Sequence, residues 1–304
     1  VAIGKEALAT QNFTTSTDAF NTAVGHNAGN SVTTGVQNTF VGGLAGDAAT
    51  TRDGNTAVGY SALTADAKGE GSVAVGSSAL ATQNYGTDTN AFNTGVGYFA
   101  GAAITTGVQN TILGAIAGDA LTDADNNTAL GYVALGQCVL GSSNTAVGSG
   151  SLFVCNPSTA VSMFNTAVGA DAGTALTTGP QNTFMGALAG GTLTTGGTNT
   201  AMGYRAMGGT SAKTGNTNVA IGSDTLFVMT SGANNTAVGY DAGGAVTSGA
   251  NNTFLGKSSG LSGSPGGAIS TGSNEICLGD ANITEAHIQV DWTVASDKRD
   301  KTDV

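Results

Sequence analysis

Aromatic residues, proline and charge are all scarce in this chain, and each scarcity excludes a class of protein. Only 6% of the 304 residues are aromatic, 10% are charged and 3 are proline, whereas glycine occurs 49 times. So few large side chains cannot fill one compact core, so we expect a long, thin core in which backbones approach closely. With 9 basic residues and a formal net charge of -11, the chain lacks the cationic surface that nucleic acid or an anionic membrane requires.

Long apolar runs and paired cysteines are missing as well. No run of about 18 apolar residues marks a membrane span, and the opening residues show no signal-sequence pattern. Because these residues fall in the middle of a repeat, we expect the chain to be part of a longer protein. The cysteines Cys138, Cys155 and Cys277 show neither C-x-x-C spacing nor a disulfide framework. They are predicted to be small buried hydrophobic residues, which fits assembly in a reducing cytosol.

The dominant feature of the sequence is a repeat of mostly 17 residues, with consensus N-T-A-V-G-Y-x-A-[GL]. Its invariant glycine follows an aliphatic residue or methionine and comes four residues after an asparagine, from which Ser72 and Glu275 depart. The repeat glycines include Gly25, Gly42, Gly59, Gly76, Gly97, Gly114, Gly131 and Gly148, the asparagines begin with Asn21, Asn38 and Asn55, and the aliphatic residues begin with Val24, Val41 and Val58.

The repeat predicts short strands and no helix. Thr-Ala-Val-Gly is rich in β-forming residues and is bounded by turn-forming ones, and 17 residues are too few for a β-α-β crossover. Stacked in parallel at about 4.8 Å, such coils would align identical side chains in columns. We expect the aliphatic column to face inward and the asparagine column to hydrogen-bond from coil to coil. The predicted fold class is all-β, a parallel β-roll or β-helix solenoid of 16 coils over residues 1–285, in a trimeric fibre.

A second periodicity supports a packed interior. Four residues after each repeat glycine, side-chain sizes run large, small, small, large four times over, as in Leu8, Gly29, Gly46 and Leu63. Two residues before the glycine, a bulky side chain appears only in the third unit of each set: Phe40, Ile112, Phe184 and Phe254. Large side chains thus coincide with glycine in the other column, as expected if both share one interior of fixed volume. The super-unit is about 72 residues, and a disordered tract would not keep such order.

Units such as Asn55-Thr56-Ala57-Val58-Gly59 and Ser72-Val73-Ala74-Val75-Gly76 resemble the head repeats of trimeric autotransporter adhesins of the YadA type. The resemblance covers roughly residues 1–285. It implies a trimer of parallel β-rolls whose aliphatic residues face inward. The units of 17 and 21 residues are longer than the commoner repeat of that family.

The last nine residues, Ser296 to Val304, resemble a different family. Their S-D-x-R-x-K-x-x-[IV] pattern is similar to the start of the intramolecular chaperone domain of endosialidases and many phage tail fibres. The resemblance implies that Ser296 is the nucleophile of a single self-cleavage before Asp297, with Lys301 as its base. A partly desolvated lysine can take the proton of a serine. Residues 286–304 would then be a junction leading into a chaperone domain.

Other candidate sites are weaker. The acidic residues form no recurring pair of the kind a β-helix enzyme needs, so we expect no enzyme beyond the self-cleavage and no cofactor. His26 and His287 lie far apart in sequence and predict no metal site. The densest acidic turn lacks the calcium-repeat pattern, which favours a solvated loop; it comprises Asp119, Asp123, Asp125 and Asn126.

Tyrosines recur directly after the repeat glycine and could form a sugar-binding ladder or, as we favour, a packing column against a neighbouring subunit; they are Tyr60, Tyr98, Tyr132, Tyr204 and Tyr240. Trp292 is expected to seal the trimer near the junction.

The sequence predicts a structural protein of a virion appendage, such as a phage tail fibre, that contributes to host attachment. Its expected partners are two further copies of the chain and a host-surface receptor or glycan. A trimeric adhesin head on a bacterial surface is the alternative. An ice- or glycan-binding solenoid stays open through the Thr-Thr pairs beginning at Thr33, Thr105 and Thr177.

Overall fold

The chain folds into one parallel β-solenoid, which confirms the predicted all-β solenoid, whereas the trimeric state stays a prediction. The computed structural model describes residues 1–285 and residue 287, and this part contains no helix. Sixteen short strands form one continuous parallel sheet along the stack. They span Ala2–Ile3, Thr22–Val24, Thr39–Val41, Thr56–Val58, Val73–Val75, Thr94–Val96, Thr111–Leu113, Thr128–Leu130, Thr145–Val147, Thr166–Val168, Thr183–Met185, Thr200–Met202, Val219–Ile221, Thr236–Val238, Thr253–Leu255 and Ile276–Leu278.

The sequence repeat sets the register of this sheet. Thr22 pairs with Thr39, and Thr39 pairs with Thr56, so that equivalent residues of successive units lie side by side. Two additional two-stranded sheets are formed where longer units bring extra residues into pairing: Gly69–Glu70 with Thr89–Asn90, and Gly141–Ser142 with Val161–Ser162. Parallel pairing joins the strand of each coil to the strands of the coils on both sides, except at the two ends of the sheet.

The repeat glycine is required by the close approach of neighbouring coils. Gly131 has φ +138°, and a Cβ atom there would lie 2.7 Å from the carbonyl oxygen of Gly148 in the next coil. Both the left-handed backbone and the contact exclude larger residues, since an L-residue is strained at such a φ and real Cβ contacts are longer. The glycine column therefore allows the turn after each strand to stack at β-sheet distance.

The asparagine column forms the predicted hydrogen-bonded ladder inside the solenoid. Asn38 donates its backbone N–H to Oδ1 of Asn21 at 2.9 Å, and Asn55 donates in the same way to Asn38. The amide group of Asn38 also donates to the carbonyl of Arg52 at 3.0 Å. These side chains are buried, and Asn21, Asn38 and Asn55 each bind one N–H and one carbonyl of the next coil.

The expected orientation of the aliphatic column was wrong. In each three-residue strand the central residue is buried, as for Ala23, Phe40 and Ala57, while Val24, Val41 and Val58 point to the outer face and are only partly buried. Successive side chains of a strand point to opposite faces, so the residue before the repeat glycine and the one before that cannot both face inward. The narrow interior takes the alanine column, which leaves the larger aliphatic side chains outside.

The interior volume is shared between columns as the sequence predicts. A Cβ atom on Gly173 would lie 2.7 Å from the ring of Phe184, and one on Gly190 would lie 2.5 Å from the same ring. Phe40 and Phe254 occupy the same place between glycines in their own super-units. Each ring thus fills the space that two glycines leave empty.

Candidate interaction surface

The aliphatic residues before the repeat glycines form a continuous column on the outer face of the sheet, which we call the aliphatic ladder. Its side chains are partly or largely exposed, with 45% exposure at Leu113 and 52% at Leu255. The described ladder comprises Ile3, Val24, Val41, Val58, Val75, Val96, Leu113, Leu130, Val147, Val168, Met185, Met202, Ile221, Val238, Leu255 and Leu278. An apolar strip of this length on a single chain marks an interaction site.

The tyrosines form a second column beside the aliphatic ladder, on the far side of the repeat glycines. All five are more than half exposed, from 52% at Tyr204 to 62% at Tyr60. Neighbouring coils carry small residues in this column; the ring of Tyr60, for example, reaches over Gly43, where a Cβ atom would lie 3.5 Å from it. Successive tyrosine rings are therefore separated by one coil with a small residue, or by three such coils between Tyr132 and Tyr204.

Together, the outward threonines, the aliphatic ladder and the tyrosine column form one face, which we call the ladder face. Between residues 39 and 240 these three columns contain no charged residue, although the chain carries a net charge of -11. A surface without charge cannot bind a phosphate or a strongly ionic ligand through ion pairs.

The ladder face is bordered by one compact ion-pair cluster. Arg205 donates from Nε to Oδ1 of Asp224 at 2.7 Å, and its guanidinium lies 4.6 Å from the ring centroid of Phe227 and 5.3 Å from that of Tyr204. The ion pair raises the pKa of Arg205 above its ordinary value. The guanidinium is thereby held between two rings and positions Tyr204 at the edge of the ladder face.

A cluster of buried polar side chains in the interior has a structural role. Ser72 interrupts the asparagine ladder, and Gln83 enters the gap by donating to Oγ of Ser72 at 2.9 Å and to Oδ2 of Asp66 at 2.5 Å. Burial raises the pKa of Asp66. Hydrogen bonds from Gln83 and from the backbone of Gly69 partly oppose this rise. This cluster replaces the missing amide, and its groups face one another and leave no open space for a substrate.

Lys213 is a buried cation that the sequence analysis missed. It is fully buried in the column of Leu193 and Met229, and its Nζ donates to the carbonyls of Phe227, at 2.7 Å, and Met229. Burial lowers its pKa from 10.5 to about 8. The unusual spacing of 19 residues between Gly203 and Gly222 was the one signal that this coil differs from the others.

The histidines and the acidic turn do not come together as binding sites. His26 is exposed in an early coil, whereas His287 lies 3.3 Å from Glu285 at the far end. In the acidic turn, Asp125 accepts the backbone N–H of Val108 at 2.8 Å and so links two coils of the stack. No cluster of three or more His, Cys, Asp or Glu side chains suited to a metal occurs in residues 1–285 and 287.

A shallow pocket of about 240 Å³ lies at the edge of the tyrosine column, lined by Tyr98, Phe99, Ile116 and Asp119. The two rings meet edge to face with centroids 4.5 Å apart. Burial raises the pKa of Asp119, whose Oδ1 has no hydrogen-bond partner among the described residues. The pocket is a local irregularity of the ladder face, since the corresponding positions of other coils carry different side chains.

The first threonine of each Thr-Thr pair uses its hydroxyl to link two coils. Thr33, Thr105 and Thr177 each donate the side-chain hydroxyl to a backbone carbonyl of the next coil, at distances of 3.3, 3.3 and 2.9 Å. These hydroxyls support coil stacking, whereas the second threonines of the pairs, Thr34, Thr106 and Thr178, are exposed. An ice- or glycan-binding threonine surface therefore stays an untested alternative.

The predicted cleavage residues Ser296, Asp297 and Lys301 lie outside the described residues, as does Trp292. Within the described part, no helix is long and apolar enough to cross a membrane. No protein-family model, curated protein or solved structure matches this chain.

Proposed function

We propose that this chain is the shaft of a homotrimeric fibre in a virion appendage, such as a phage tail fibre, where it contributes to host attachment. The ladder face is the observation that carries the proposal. An uncharged strip of aliphatic and tyrosine side chains follows nearly the whole stack, and a single coil stack leaves it in water. At about 25 cal/mol per Å² of apolar surface, covering such a strip is strongly favourable.

A second copy of the chain is the partner that fits the ladder face best. Coils rise by about 4.8 Å, so only a partner with the same rise keeps its side chains in step with the ladder over many coils. The alternation of rings and gaps in the tyrosine column favours interlocking between copies. The resemblance of the repeats to trimeric adhesin heads supports closure with three copies, which also leaves no ladder face open for further growth.

The location in a virion rests on the resemblance of residues 296–304 to the junction that precedes a tail-fibre chaperone domain. The adhesin head on a bacterial surface stays the second candidate, because the repeats themselves resemble that family. The reading frame around this chain separates the two. A chaperone domain encoded after Val304 supports the virion, whereas a membrane anchor supports the adhesin.

The assembly is tested by charging the ladder face in alternate coils. We expect the wild-type chain to have three times its 29.4 kDa mass in light scattering. The triple variant Leu113→Asp, Val147→Asp, Met185→Asp should lose association, because desolvating carboxylates at an apolar interface is costly. Its coil stack should persist in circular dichroism, since these side chains point outward.

Two controls make this test specific. Substituting the neighbouring inward residue, Ala129→Asp, should unfold the stack itself, because Ala129 is fully buried. Charging an exposed residue of another face, Asn156→Asp, should change neither mass nor fold. A wild-type chain that is folded, soluble and monomeric would contradict the proposal.

The proposed self-cleavage has its own test, independent of assembly. In a chain that carries the downstream domain, Ser296→Ala should abolish release of a fragment beginning at Asp297, and Lys301→Ala should slow it. Intact-mass measurement of fibres from native particles is the readout. A mature chain that retains residues 297–304 would show that the junction is inert in this protein.

A further inference from the structure

Two of the three cysteines lie on top of one another inside the solenoid. Cys138 and Cys155 each follow a repeat glycine, Gly131 or Gly148, by seven residues, which places them in the same interior column of adjacent coils. Both are fully buried. The column continues through Leu121 on one side and Leu176 on the other, so the two thiols take the place of a pair of stacked leucines.

The two sulfur atoms lie on either side of the same glycine. Both lie close to one point, since a Cβ atom on Gly141 would be 2.9 Å from Sγ of Cys138 and 3.1 Å from Sγ of Cys155. The neighbouring thiol of Cys138 and burial raise the pKa of Cys155 well above its ordinary value. The nearest third sulfur, Sδ of Met163, lies 3.8 Å from Sγ of Cys155.

This stacking meets the geometric requirement for a disulfide. Beside the cysteines, the backbone N–H of Gln137 donates to the carbonyl of Phe153 at 2.8 Å, so the two coils lie at sheet spacing there. A spacing of about 4.8 Å falls within the range of about 4.4–6.8 Å between Cα atoms that a disulfide spans. Gly141 has no side chain, so it leaves room beside the sulfurs for their rotation. Cys277 is excluded from the pair, because it lies in the last strand, where its sulfur accepts the backbone N–H of Gly260 at 3.1 Å.

We propose that Cys138 and Cys155 form a disulfide between adjacent coils. The bond forms after the fibre has folded in a reducing compartment and has then met a small-molecule disulfide outside that compartment. One thiolate attacks that disulfide and releases one small thiol. The second cysteine thiolate then attacks the mixed disulfide and releases another, so that two protons and two electrons leave the pair. The change of compartment rests on the proposed function, whereas the pairing of the two cysteines does not.

Complete burial determines when the bond forms. In the folded stack neither sulfur is accessible and the thiol of Cys155 resists ionisation. Thiol–disulfide exchange therefore requires that the two coils separate locally, or that the thiols are oxidised while the coils are still folding. The bond would then prevent that same separation. It ties the coil of Gly131 to the coil of Gly148, next to a longer 21-residue unit.

The experiment uses the full chain with oxidised glutathione in two arms, one with the native protein and one with protein refolding from denaturant. In at least one arm we expect the intact mass to fall by two hydrogen atoms and a peptide map to show Cys138 joined to Cys155. The oxidised protein should melt about 5 °C higher than the reduced protein. Cys277→Ala should behave in the same way, whereas Cys155→Ala should show no difference between oxidised and reduced samples.

Three results would overturn the inference: an unchanged mass in both arms, a bond that involves Cys277, or chains linked to one another. Failure of the disulfide is distinguishable from failure of the fibre proposal. The first is read from mass and peptide maps of one chain, and the second from the number of chains in the particle.

Discussion

The side-chain oxygen of Asn165 accepts the backbone N–H of Asn182, one coil further along, at 2.9 Å, and the amide group of Asn182 donates back to the same oxygen at 3.2 Å. Asn182 repeats this arrangement with Asn199. Each asparagine is buried, so no water competes for these bonds. The ladder therefore fixes the position of one coil on the next without any buried charge.

Removing one member of the ladder should destabilise the stack. Asn182→Ala deprives the N–H of Asn199 and the carbonyl of Gly196 of their buried partner. We expect a loss of about 3 kcal/mol in the free energy of unfolding, measured by denaturant titration. The exposed Asn156→Ala is the matched control and should be nearly neutral. Equal effects of the two substitutions would show that the ladder does not contribute to stability.

A methyl group on a repeat glycine should be more damaging than one in a loop. In Gly131→Ala the new Cβ meets the carbonyl of the next coil at 2.7 Å in a left-handed backbone, which should cost about 3 kcal/mol. Gly86→Ala adds a methyl group at a site with no atom within 4 Å and should leave the melting temperature unchanged. Thermal melts of both variants compare the two positions directly.

The sharing of interior volume predicts an energetic coupling. Gly190→Ala alone should destabilise, because its Cβ would lie 2.5 Å from the ring of Phe184. Phe184→Leu should relieve part of this cost, with a coupling energy of about 1 kcal/mol in a double-mutant cycle. Phe254→Leu removes an equivalent ring in a distant coil and should be additive with Gly190→Ala. Additivity in both cycles would refute the shared interior.

Lys213 should make the stability depend on alkaline pH. Its pKa is 10.5 in the unfolded chain and about 8 in the folded one, so folding favours the neutral amine. Below pH 8 the folded state carries the full cost of a buried charge. As the pH rises from about 7 to 9.5, the folded state releases the proton first, and Lys213 should contribute about 2 kcal/mol of added stability.

The contribution of Lys213 is isolated by comparing variants. Lys213→Met keeps the length of the side chain in its apolar column and should abolish this difference between the two pH values. Lys257→Met replaces an exposed lysine and should retain it. Unfolding titrations at both pH values give the comparison, and an unchanged pH dependence in Lys213→Met would assign the effect to other groups.

The repeat spacing alone predicted the register of the sheet, the asparagine ladder and the sharing of volume around Phe40, because each follows from identical residues stacking in identical places. Alternation along a strand showed that Ala57 and Val58 face opposite sides, but not which side is the interior. Its greater hydrophobicity predicted that Val58 faces inward, whereas the narrow coil places Ala57 inside instead. That width depends on how all columns pack together, which no single unit of sequence contains.

The pair of Cys138 and Cys155 was within reach of the sequence, since the two residues are one repeat apart. The number of cysteines and the absence of a C-x-x-C motif do not reveal this pair, because a stacked fold brings together residues that are 17 apart. Lys213 was not within reach. Its coil is two residues longer than the repeat, and the spacing gives no indication of which residue enters the interior column.

Because four coils complete one cycle of interior volumes, the length of this shaft can change only in steps. A duplication of 72 residues would place Phe184-like rings again between glycines and leave every coil with a matching neighbour. At about 4.8 Å per coil, each such event would lengthen the shaft by about 19 Å with no change in cross-section. A gain or loss of fewer than four coils would instead bring a bulky ring beside a large side chain of the other interior column and create a packing defect.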